Sequence, residues 1–266
     1  MKTVLVTGGN RGIGLEICRQ LDSAGHRVIL CSRDPAAGLE AAKRLSPAVI
    51  VRPLDVTDED SIQELYHFVS AEFGHLDVLI NNAGVGSSQW DSNNQSGFRE
   101  KMKNRFHGLW KMARLAKPIL EKIGLAGHRE TAMNMDLLDA RMIMEVNFYG
   151  PWSMIQVFAP LLEKSKDGRI INISSGMGAL DRLNGESPGY SLSKAALNAL
   201  TIMFSRELLK TNIKVNAICP GWVKTRMGGP DAPRDVNQGA DTAVWLSTAE
   251  EIPTGKFFRD RNEISW

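Results

Sequence analysis

The sequence has few cysteines, little net charge and no long apolar run. Its three cysteines, Cys18, Cys31 and Cys219, stand far apart and form no Cys-x-x-Cys motif. This argues against a disulfide framework or a zinc site, and we expect no bound metal. A formal net charge of +2 is too small to indicate a nucleic-acid-binding protein. No segment approaches the ~20 apolar residues of a membrane-spanning helix, and the first apolar run is too short for a secretory signal. We therefore expect a cytoplasmic protein that acts on small molecules, with no membrane span and no nucleic-acid partner.

The chain is long enough to bury a large hydrophobic core. It has 266 residues, of which 43% are hydrophobic, and a prior of roughly 150 residues per domain allows one or two domains. No Pro/Gly/Ser-rich or strongly charged linker divides it. We therefore expect one domain over residues 1–266.

Short apolar segments alternate with amphipathic ones along most of the chain. Apolar runs without polar alternation predict buried parallel strands, and the segments between them show helical spacing. This pattern predicts an α/β fold of three layers, a doubly wound parallel sheet with helices on both faces. The predicted strands are residues 4–6, 28–31, 49–51, 78–80, 170–173 and 214–218, and the predicted helices are residues 13–21, 36–45, 61–73, a segment through 144–158, and 190–209.

Polar residues and glycines follow five of the predicted strands. They are Thr7-Gly8, Asp55, the segment 81–84, Ser174-Ser175 and Pro220-Gly221. In parallel sheets, ligands bind at the carboxyl ends of the strands, so these residues are expected to line one cleft.

A glycine-rich segment lies between the first predicted strand and the first predicted helix. Its spacing, Gly8-x-x-x-Gly12-x-Gly14, differs from the common Gly-x-Gly-x-x-Gly. Glycines here would let the backbone approach a pyrophosphate, whose charge a helix N-terminus attracts. The alternative is an ordinary glycine turn.

Tyr190 and Lys194 are four residues apart within a predicted helix. This spacing places the phenol and the ammonium on one face, where a fixed positive charge would favour the phenolate and lower the tyrosine pKa. Such a pair alone is more often two unrelated residues on a helix surface.

These motifs together resemble the short-chain dehydrogenase/reductase family. The resemblance rests on the glycine spacing, Asn-Asn-Ala-Gly at 81–84 and Tyr190-x-x-x-Lys194, and it covers nearly the whole chain. The segments 147–150 and 220–225, and the terminal Trp266, are similar to the carbonyl reductase branch. The resemblance implies a Rossmann-like fold and reduction of a ketone or aldehyde to an alcohol with NADP(H).

The family pattern implies a catalytic group of Asn147, Ser175, Tyr190 and Lys194. Tyr190 would donate the proton, Lys194 would also hold the nicotinamide ribose, and Ser175 would donate a hydrogen bond to the substrate oxygen, with Ser174 as the competing candidate. The backbone carbonyl of Asn147 would hold a water in a proton relay. The alternative for Asn147 is a helix kink or a satisfied polar core group, and Pro151 favours a distorted helix.

The same resemblance implies a set of cofactor-binding residues around the cleft. The alternative for Asn81 is a role in bracing the neighbouring strand. The implied cofactor-binding residues are Gly8, Asn10, Arg11, Gly12, Ile13, Gly14, Arg33, Asp55, Val56, Asn82, Ala83, Gly84, Tyr190, Lys194, Pro220, Gly221, Val223 and Thr225.

The end of the second predicted strand distinguishes NADP from NAD. An NAD enzyme places a carboxylate there, whereas this chain has Ser32 followed by Arg33, with Arg11 in the glycine loop. Two guanidinium groups can bind a phosphate with charge-assisted hydrogen bonds, which favours NADP(H). Asp34, one residue further on, is evidence against this choice.

A long segment separates the Asn-Asn-Ala-Gly motif from Asn147. In most members of the family about thirty residues lie between these points, whereas residues 81 and 147 are 66 positions apart. We predict an inserted helical flap at about residues 88–135, containing a basic amphipathic helix, that walls the substrate pocket. A membrane-surface or partner-binding helix is the alternative. Plant carbonyl-reductase-like members that act on alkaloids and terpenoids carry an added segment at a similar place.

The substrate is the least determined feature. Trp90, Trp110, Trp152 and Trp222 favour a lipophilic carbonyl compound, although such residues are more often part of a core. The alternatives are a 3-oxoacyl-thioester reductase and a non-enzymatic NADP-binding sensor or scaffold. A monomer and a homodimer both remain open.

Overall fold

The computed structural model describes residues 1–86 and 130–266 and contains an eight-stranded sheet in the order β3-β2-β1-β4-β5-β6-β7-β8. Every neighbouring pair of strands is parallel except β7 and β8, which are antiparallel. The strands are β1 (Thr3–Val6), β2 (Arg27–Ser32), β3 (Ile50–Pro53), β4 (Val78–Asn81), β5 (Gly168–Ile173), β6 (Ile213–Ile218), β7 (Phe257–Arg259) and β8 (Asn262–Glu263).

Helices connect the parallel strands and cover both faces of the sheet, which confirms the predicted doubly wound α/β class. A π-helical turn, Glu145–Tyr149, interrupts the helical segment before β5. In the described residues the α-helices are α1 (Gly12–Ser23), α2 (Pro35–Ala42), α3 (Glu59–Phe73), α4 (Leu137–Met144), α5 (Gly150–Glu163), α6 (Pro188–Glu207) and α7 (Val236–Thr248).

The central strands are buried because each faces a hydrophobic core on both sides. In β1, Leu5 packs in a core with residues of α3 and α5, whereas its neighbours Val4 and Val6 pack in the opposite core with residues of α1 and α7. Alternate residues of a strand point to opposite faces, so an apolar run of this kind requires two covering layers. Full burial of one such side chain stabilises the fold by about 1.5–3 kcal/mol.

The strand order reverses at β1, which lies between β2 and β4. The ends of β1 and β4 are joined there by Thr7: its amide donates to the Ile80 carbonyl at 3.0 Å, and its hydroxyl accepts from the Asn82 amide at 3.0 Å. A crevice at the carboxyl ends of the strands is the ligand site of such sheets.

Most predicted elements are confirmed within a few residues, and the differences have local causes. The predicted helix 36–45 ends at Ala42, and the predicted helix through 144–158 contains the π-helical turn. The sequence pattern did not predict α7, β7 or β8. The predicted basic amphipathic helix of the insertion lies outside the described residues. Among the described residues, no helix combines the length and the apolar character needed to cross a bilayer.

Candidate active site

A cavity of about 1530 Å³ lies at the carboxyl ends of the strands. All the predicted catalytic and cofactor-binding residues line it except Asn147, which is buried beneath it. The five strand ends named from the sequence therefore meet at one site, although Thr7 and Asn81 contribute from behind its surface. Asn81 donates from Nδ2 to Asn172 Oδ1 at 2.9 Å, which is the bracing role left open above.

The glycine turn is held open by Asn82. Asn82 Nδ2 donates to the carbonyls of Thr7 and Gly8 at 2.9 and 3.0 Å. Gly8 has φ +63°, a conformation that side chains disfavour, and a Cβ on Gly14 would lie 2.3 Å from Asn82 Nδ2. The turn therefore requires glycine, and it leaves backbone and the N-terminus of α1 facing the cavity, as a bound pyrophosphate needs.

Three guanidinium groups cluster near the glycine turn. The pKa of Arg11 is lowered, first by partial burial and then by the positive charges of Arg226 and Arg33. All three residues line the cavity, and in the described part of the chain none forms an ion pair. Arg226 was missed by the sequence reasoning, although it directly follows Thr225, the last residue of the predicted cofactor segment. This cluster is suited to a phosphate dianion.

Asp34, the evidence against NADP, has a structural role. Its carboxylate oxygen Oδ1 accepts hydrogen bonds from the amides of Ala36 and Ala37 at 2.9 and 3.1 Å, which makes it the N-cap of α2. Ser32 Oγ donates to the Asp34 carbonyl at 2.7 Å and fixes the turn. The side chain that would bind a ribose in an NAD enzyme is thus engaged in capping a helix.

Asp55 and Val56 line the cavity beyond the end of β3. Asp55 Oδ1 accepts from the amide and the hydroxyl of Thr57 at 3.0 and 2.7 Å, so its carboxylate folds back on its own loop. Val56 is buried. The loop is therefore fixed, and an apolar side chain stands where an adenine ring would need a contact.

Tyr190 and Lys194 lie one turn apart on α6 and face the cavity. The Lys194 Nζ atom lies 5.7 Å from the centroid of the Tyr190 ring and donates to the Ile173 carbonyl at 2.8 Å. Burial lowers the pKa of Lys194 to about 8. Burial also raises the pKa of Tyr190 to about 12, against the opposing effect of a hydrogen bond with Ser175.

The expected lowering of the Tyr190 pKa by Lys194 is therefore wrong in direction for this structure. Burial disfavours the charged phenolate and is the largest cause of the raised pKa of Tyr190, and the effect that opposes it comes from Ser175. As a result, the Tyr190 hydroxyl is protonated at neutral pH.

Ser175, and not Ser174, faces Tyr190. Ser175 lies close enough to Tyr190 to lower the pKa of the Tyr190 hydroxyl, and Ser175 Oγ accepts from the Met177 amide at 3.1 Å. Ser174 is buried and donates to Asn198 Oδ1 at 2.5 Å, so its hydroxyl is engaged in the interior. The choice of the second serine agrees with this geometry.

Asn147 lies in the π-helical turn, which confirms the expected helix distortion. Its Oδ1 accepts from the Val85 amide, and its Nδ2 donates to the Val85 carbonyl, both at 2.9 Å. The side chain is thus a satisfied polar core group that fixes the loop after β4. Pro151 lacks the N–H that would bond the Asn147 carbonyl in a regular helix, so this carbonyl is without that donor.

The described end of the predicted insertion lies against the start of α6. Thr131 forms an antiparallel bridge with Glu186, and the Gly189 amide donates to Met135 Sδ at 3.1 Å. Glu130 lines the cavity. These contacts put the last residues of the segment at 88–135 next to the helix that carries Tyr190 and Lys194.

The cavity is also lined by residues that the sequence did not predict as site residues, among them Arg182, Cys219 and Arg259. Of these three, only Cys219 had a sequence signal, because it immediately precedes Pro220. Arg259 lies in β7, which was not predicted.

The fold and this site define a class of protein. A doubly wound sheet, a glycine turn at its switch point, and a serine, a tyrosine and a lysine that face one cavity are the parts of a dinucleotide-dependent oxidoreductase. The family model described as short chain dehydrogenase matches residues 2–128 and 123–235. The chain belongs to this family and to its carbonyl reductase-like branch, an oxidoreductase family that uses a nicotinamide cofactor.

Relatives with full-length similarity support this assignment. Salutaridine reductase from Papaver bracteatum is 30% identical over 311 aligned residues, covering 100% of this chain and 96% of the relative. (+)-Neomenthol dehydrogenase from Arabidopsis thaliana is 32% identical, covering 98% and 96%. Among solved structures, NADPH-bound carbonyl reductase from chicken fatty liver has a TM-score of 0.78 and 28% identity, covering 100% of this chain and 99% of that one.

Proposed function

We propose that this protein reduces a ketone or aldehyde to the alcohol with NADPH, and that Tyr190 is the general acid. The observation that carries the proposal is that Ser175, Tyr190 and Lys194 line one wall of the cavity, with Ser175 close enough to Tyr190 to affect the pKa of its hydroxyl. With a pKa raised to about 12, Tyr190 holds its proton until a more basic oxygen develops beside it.

The chain's own residues account for the proton side of the reaction. NADPH, when bound, supplies the hydride to the carbonyl carbon. Ser175 donates a hydrogen bond to the carbonyl oxygen, and Tyr190 transfers its proton as negative charge builds there. Both groups also hold the carbonyl in one orientation, which lowers the entropic part of the barrier.

Lys194 and Asn147 restore the proton of Tyr190 in this proposal. Lys194 has a pKa near 8, so it is mostly charged at neutral pH and close to its own titration, which suits a group that passes protons. The Asn147 carbonyl, without an amide donor from Pro151, is available to bind a water of the relay. Lys194 would also hold the hydroxyls of the nicotinamide ribose.

The choice of NADPH over NADH rests on Arg11, Arg33 and Arg226. The pKa of Arg11 is lowered by burial and, to a smaller extent, by the positive charges of Arg226 and Arg33, and a phosphate dianion among the three groups would relieve that repulsion. Asp34, which would repel that phosphate, is held by its capping bonds to α2. The NADPH-bound state of the chicken carbonyl reductase supports the same choice.

A panel of carbonyl compounds assayed by loss of NADPH absorbance tests this function. We expect turnover of simple ketones or aldehydes with NADPH and much weaker turnover with NADH. A 3-oxoacyl thioester belongs in the panel, since strong preference for it would favour the alternative reductase. NADPH binding without turnover of any compound would favour the non-enzymatic alternative and contradict the proposal.

A further inference from the structure

Two arginine side chains lie beside the catalytic serine. A Cβ added to Gly176, the residue after Ser175, would lie 2.8 Å from Arg259 Nη2 and 3.8 Å from Arg182 Nη1. Both arginines line the cavity, although they come from distant parts of the chain, Arg259 from β7 and Arg182 from the turn after β5. Because position 176 is glycine, both guanidinium groups reach the edge of the site where the substrate carbonyl would bind.

The Arg259 guanidinium is held in place but not neutralised. Its Nη2 donates to Cys219 Sγ at 2.8 Å, and the same sulfur accepts from the Gly176 amide at 3.1 Å. Its Nε is buried and has no hydrogen-bond partner. Among the described residues, neither Arg259 nor Arg182 forms an ion pair, although both line the cavity.

The partly buried guanidinium of Arg259 favours an anionic partner, and exposed Arg182 adds a second positive charge beside it. Burying a cationic donor without a partner is costly, and a guanidinium fork matches a carboxylate with two parallel hydrogen bonds. A sulfur atom positions Arg259 but carries no formal charge as a thiol. The structure thus contains two guanidinium groups near Gly176, of which Cys219 holds that of Arg259 while Arg182 is exposed, and neither has an ion-pair partner among the described residues.

We propose that Arg259 and Arg182 bind a carboxylate of the substrate, so that the preferred substrate is an oxo acid. The inference rests on the proposed carbonyl reduction and adds the substrate class. The carbonyl oxygen lies at Ser175 and Tyr190, and the carboxylate, a few bonds away, lies over Gly176. Exposed Met177 and Trp222 line the same cavity and would contact an apolar body of the substrate. The proposed substrate therefore has the lipophilic body expected from the sequence and, in addition, a carboxylate group.

Equilibrium binding with matched ligands tests the carboxylate site independently of turnover. An aromatic 2-oxo acid and its methyl ester are titrated by calorimetry into the enzyme with NADP⁺, a mixture in which no reduction occurs. We expect the acid to bind at least tenfold more tightly than the ester, since hydrogen bonds to charged groups are worth more than neutral ones. Arg259→Gln should reduce this ratio about tenfold or more, and Arg182→Gln should reduce it by a smaller factor.

Two further variants and a kinetic measurement complete the test. Arg206→Gln, at an exposed arginine of α6 outside the cavity, should leave the acid to ester ratio unchanged. Arg259→Lys should retain part of the ratio because it keeps the charge. An equal ratio in wild type, Arg259→Gln and Arg182→Gln would overturn the carboxylate site. The ratio of kcat/KM with NADPH for the same acid and ester distinguishes the proposed carboxylate site from the proposed reductase function. Acid-selective binding without turnover of either compound would support the site and contradict the reductase function, whereas turnover of both without acid selectivity would do the reverse.

Discussion

Asn147 Nδ2 donates a hydrogen bond to Ser193 Oγ at 3.0 Å, and Ser193 Oγ in turn donates to the Tyr190 carbonyl at 2.7 Å. These two hydrogen bonds join the π-helical turn to the first turn of α6. Asn147 also binds both backbone groups of Val85, so one buried amide fixes the cavity wall after β4 relative to Tyr190. The position of Tyr190, the proposed general acid, therefore depends on a residue that does not line the cavity.

Asn147→Ala should destabilise the fold and lower activity together. It leaves the Val85 amide and carbonyl without their partners, and each unsatisfied buried group costs about 1–3 kcal/mol. We expect a lower Tm in thermal unfolding and a fall in kcat larger than the change in KM for NADPH. Asn237→Ala, at an exposed residue of α7, is the control and should change neither. An Asn147→Ala protein with wild-type Tm would show that this network does not hold the wall.

Arg33→Asp should shift cofactor preference toward NADH. The new carboxylate repels a 2′-phosphate and can accept hydrogen bonds from a ribose, and the lost ion pair alone is worth about tenfold or more in affinity. Arg226→Gln should weaken NADPH binding with little effect on NADH. The measurement is kcat/KM with each cofactor, and Arg44→Gln, at an exposed arginine outside the cavity, serves as the control. Strong NADPH preference retained in both variants would place the phosphate elsewhere.

The pH dependence of kcat for carbonyl reduction should follow the titration of Lys194. Its pKa is lowered by burial from 10.5 to about 8, so its charge is present below that pH and lost above it. If the ammonium serves the proton relay, kcat for reduction should fall as pH rises through about 8. A Lys194→Met variant should have low activity without this step. If kcat of the wild type does not change from pH 7 to pH 9, the titration of Lys194 does not control turnover and the prediction is wrong.

The lowered pKa of Lys194 also makes the free energy of unfolding depend on pH. Between about pH 8 and 10.5, the unfolded chain holds a proton on Lys194 that the folded chain has released, so the contribution of this group to the free energy of unfolding rises with pH. Tyr190 has the opposite sign, because its pKa is raised from 10.0 to about 12 and its contribution falls between these values. Denaturant midpoints of Lys194→Met should lack the first trend.

The sequence determined much of the fold because its strands are apolar on both sides. An apolar run such as residues 78–80 predicts a central parallel strand. The glycine-rich segment after the first strand indicated that the strand order reverses beside β1. Edge elements such as β7 and β8, with three and two residues, have no periodicity to detect.

At the site, the sequence could not predict effects that depend on burial or on residues far apart along the chain. Tyr190 and Lys194 were found because helical spacing makes them neighbours, but the direction of the tyrosine pKa depends on burial by residues far along the chain. Arg226 and Arg259 reach the cavity through turns and strand pairing that no local pattern encodes. The sequence left two roles open for Asn147. In the structure its side chain is hydrogen-bonded in the core. Its backbone carbonyl has no amide donor four residues later, because that residue is Pro151.

The central claim is that the Tyr190 hydroxyl delivers the proton, and the Tyr190→Phe variant tests it most directly. The substitution removes one oxygen atom and keeps the ring in its place, so NADPH affinity, measured by fluorescence titration, should stay near the wild-type value. We expect kcat/KM for carbonyl reduction to fall about 10²–10⁴-fold, the usual contribution of a general acid. A Tyr190→Phe enzyme that binds NADPH and reduces the same compound at the wild-type rate would contradict the account.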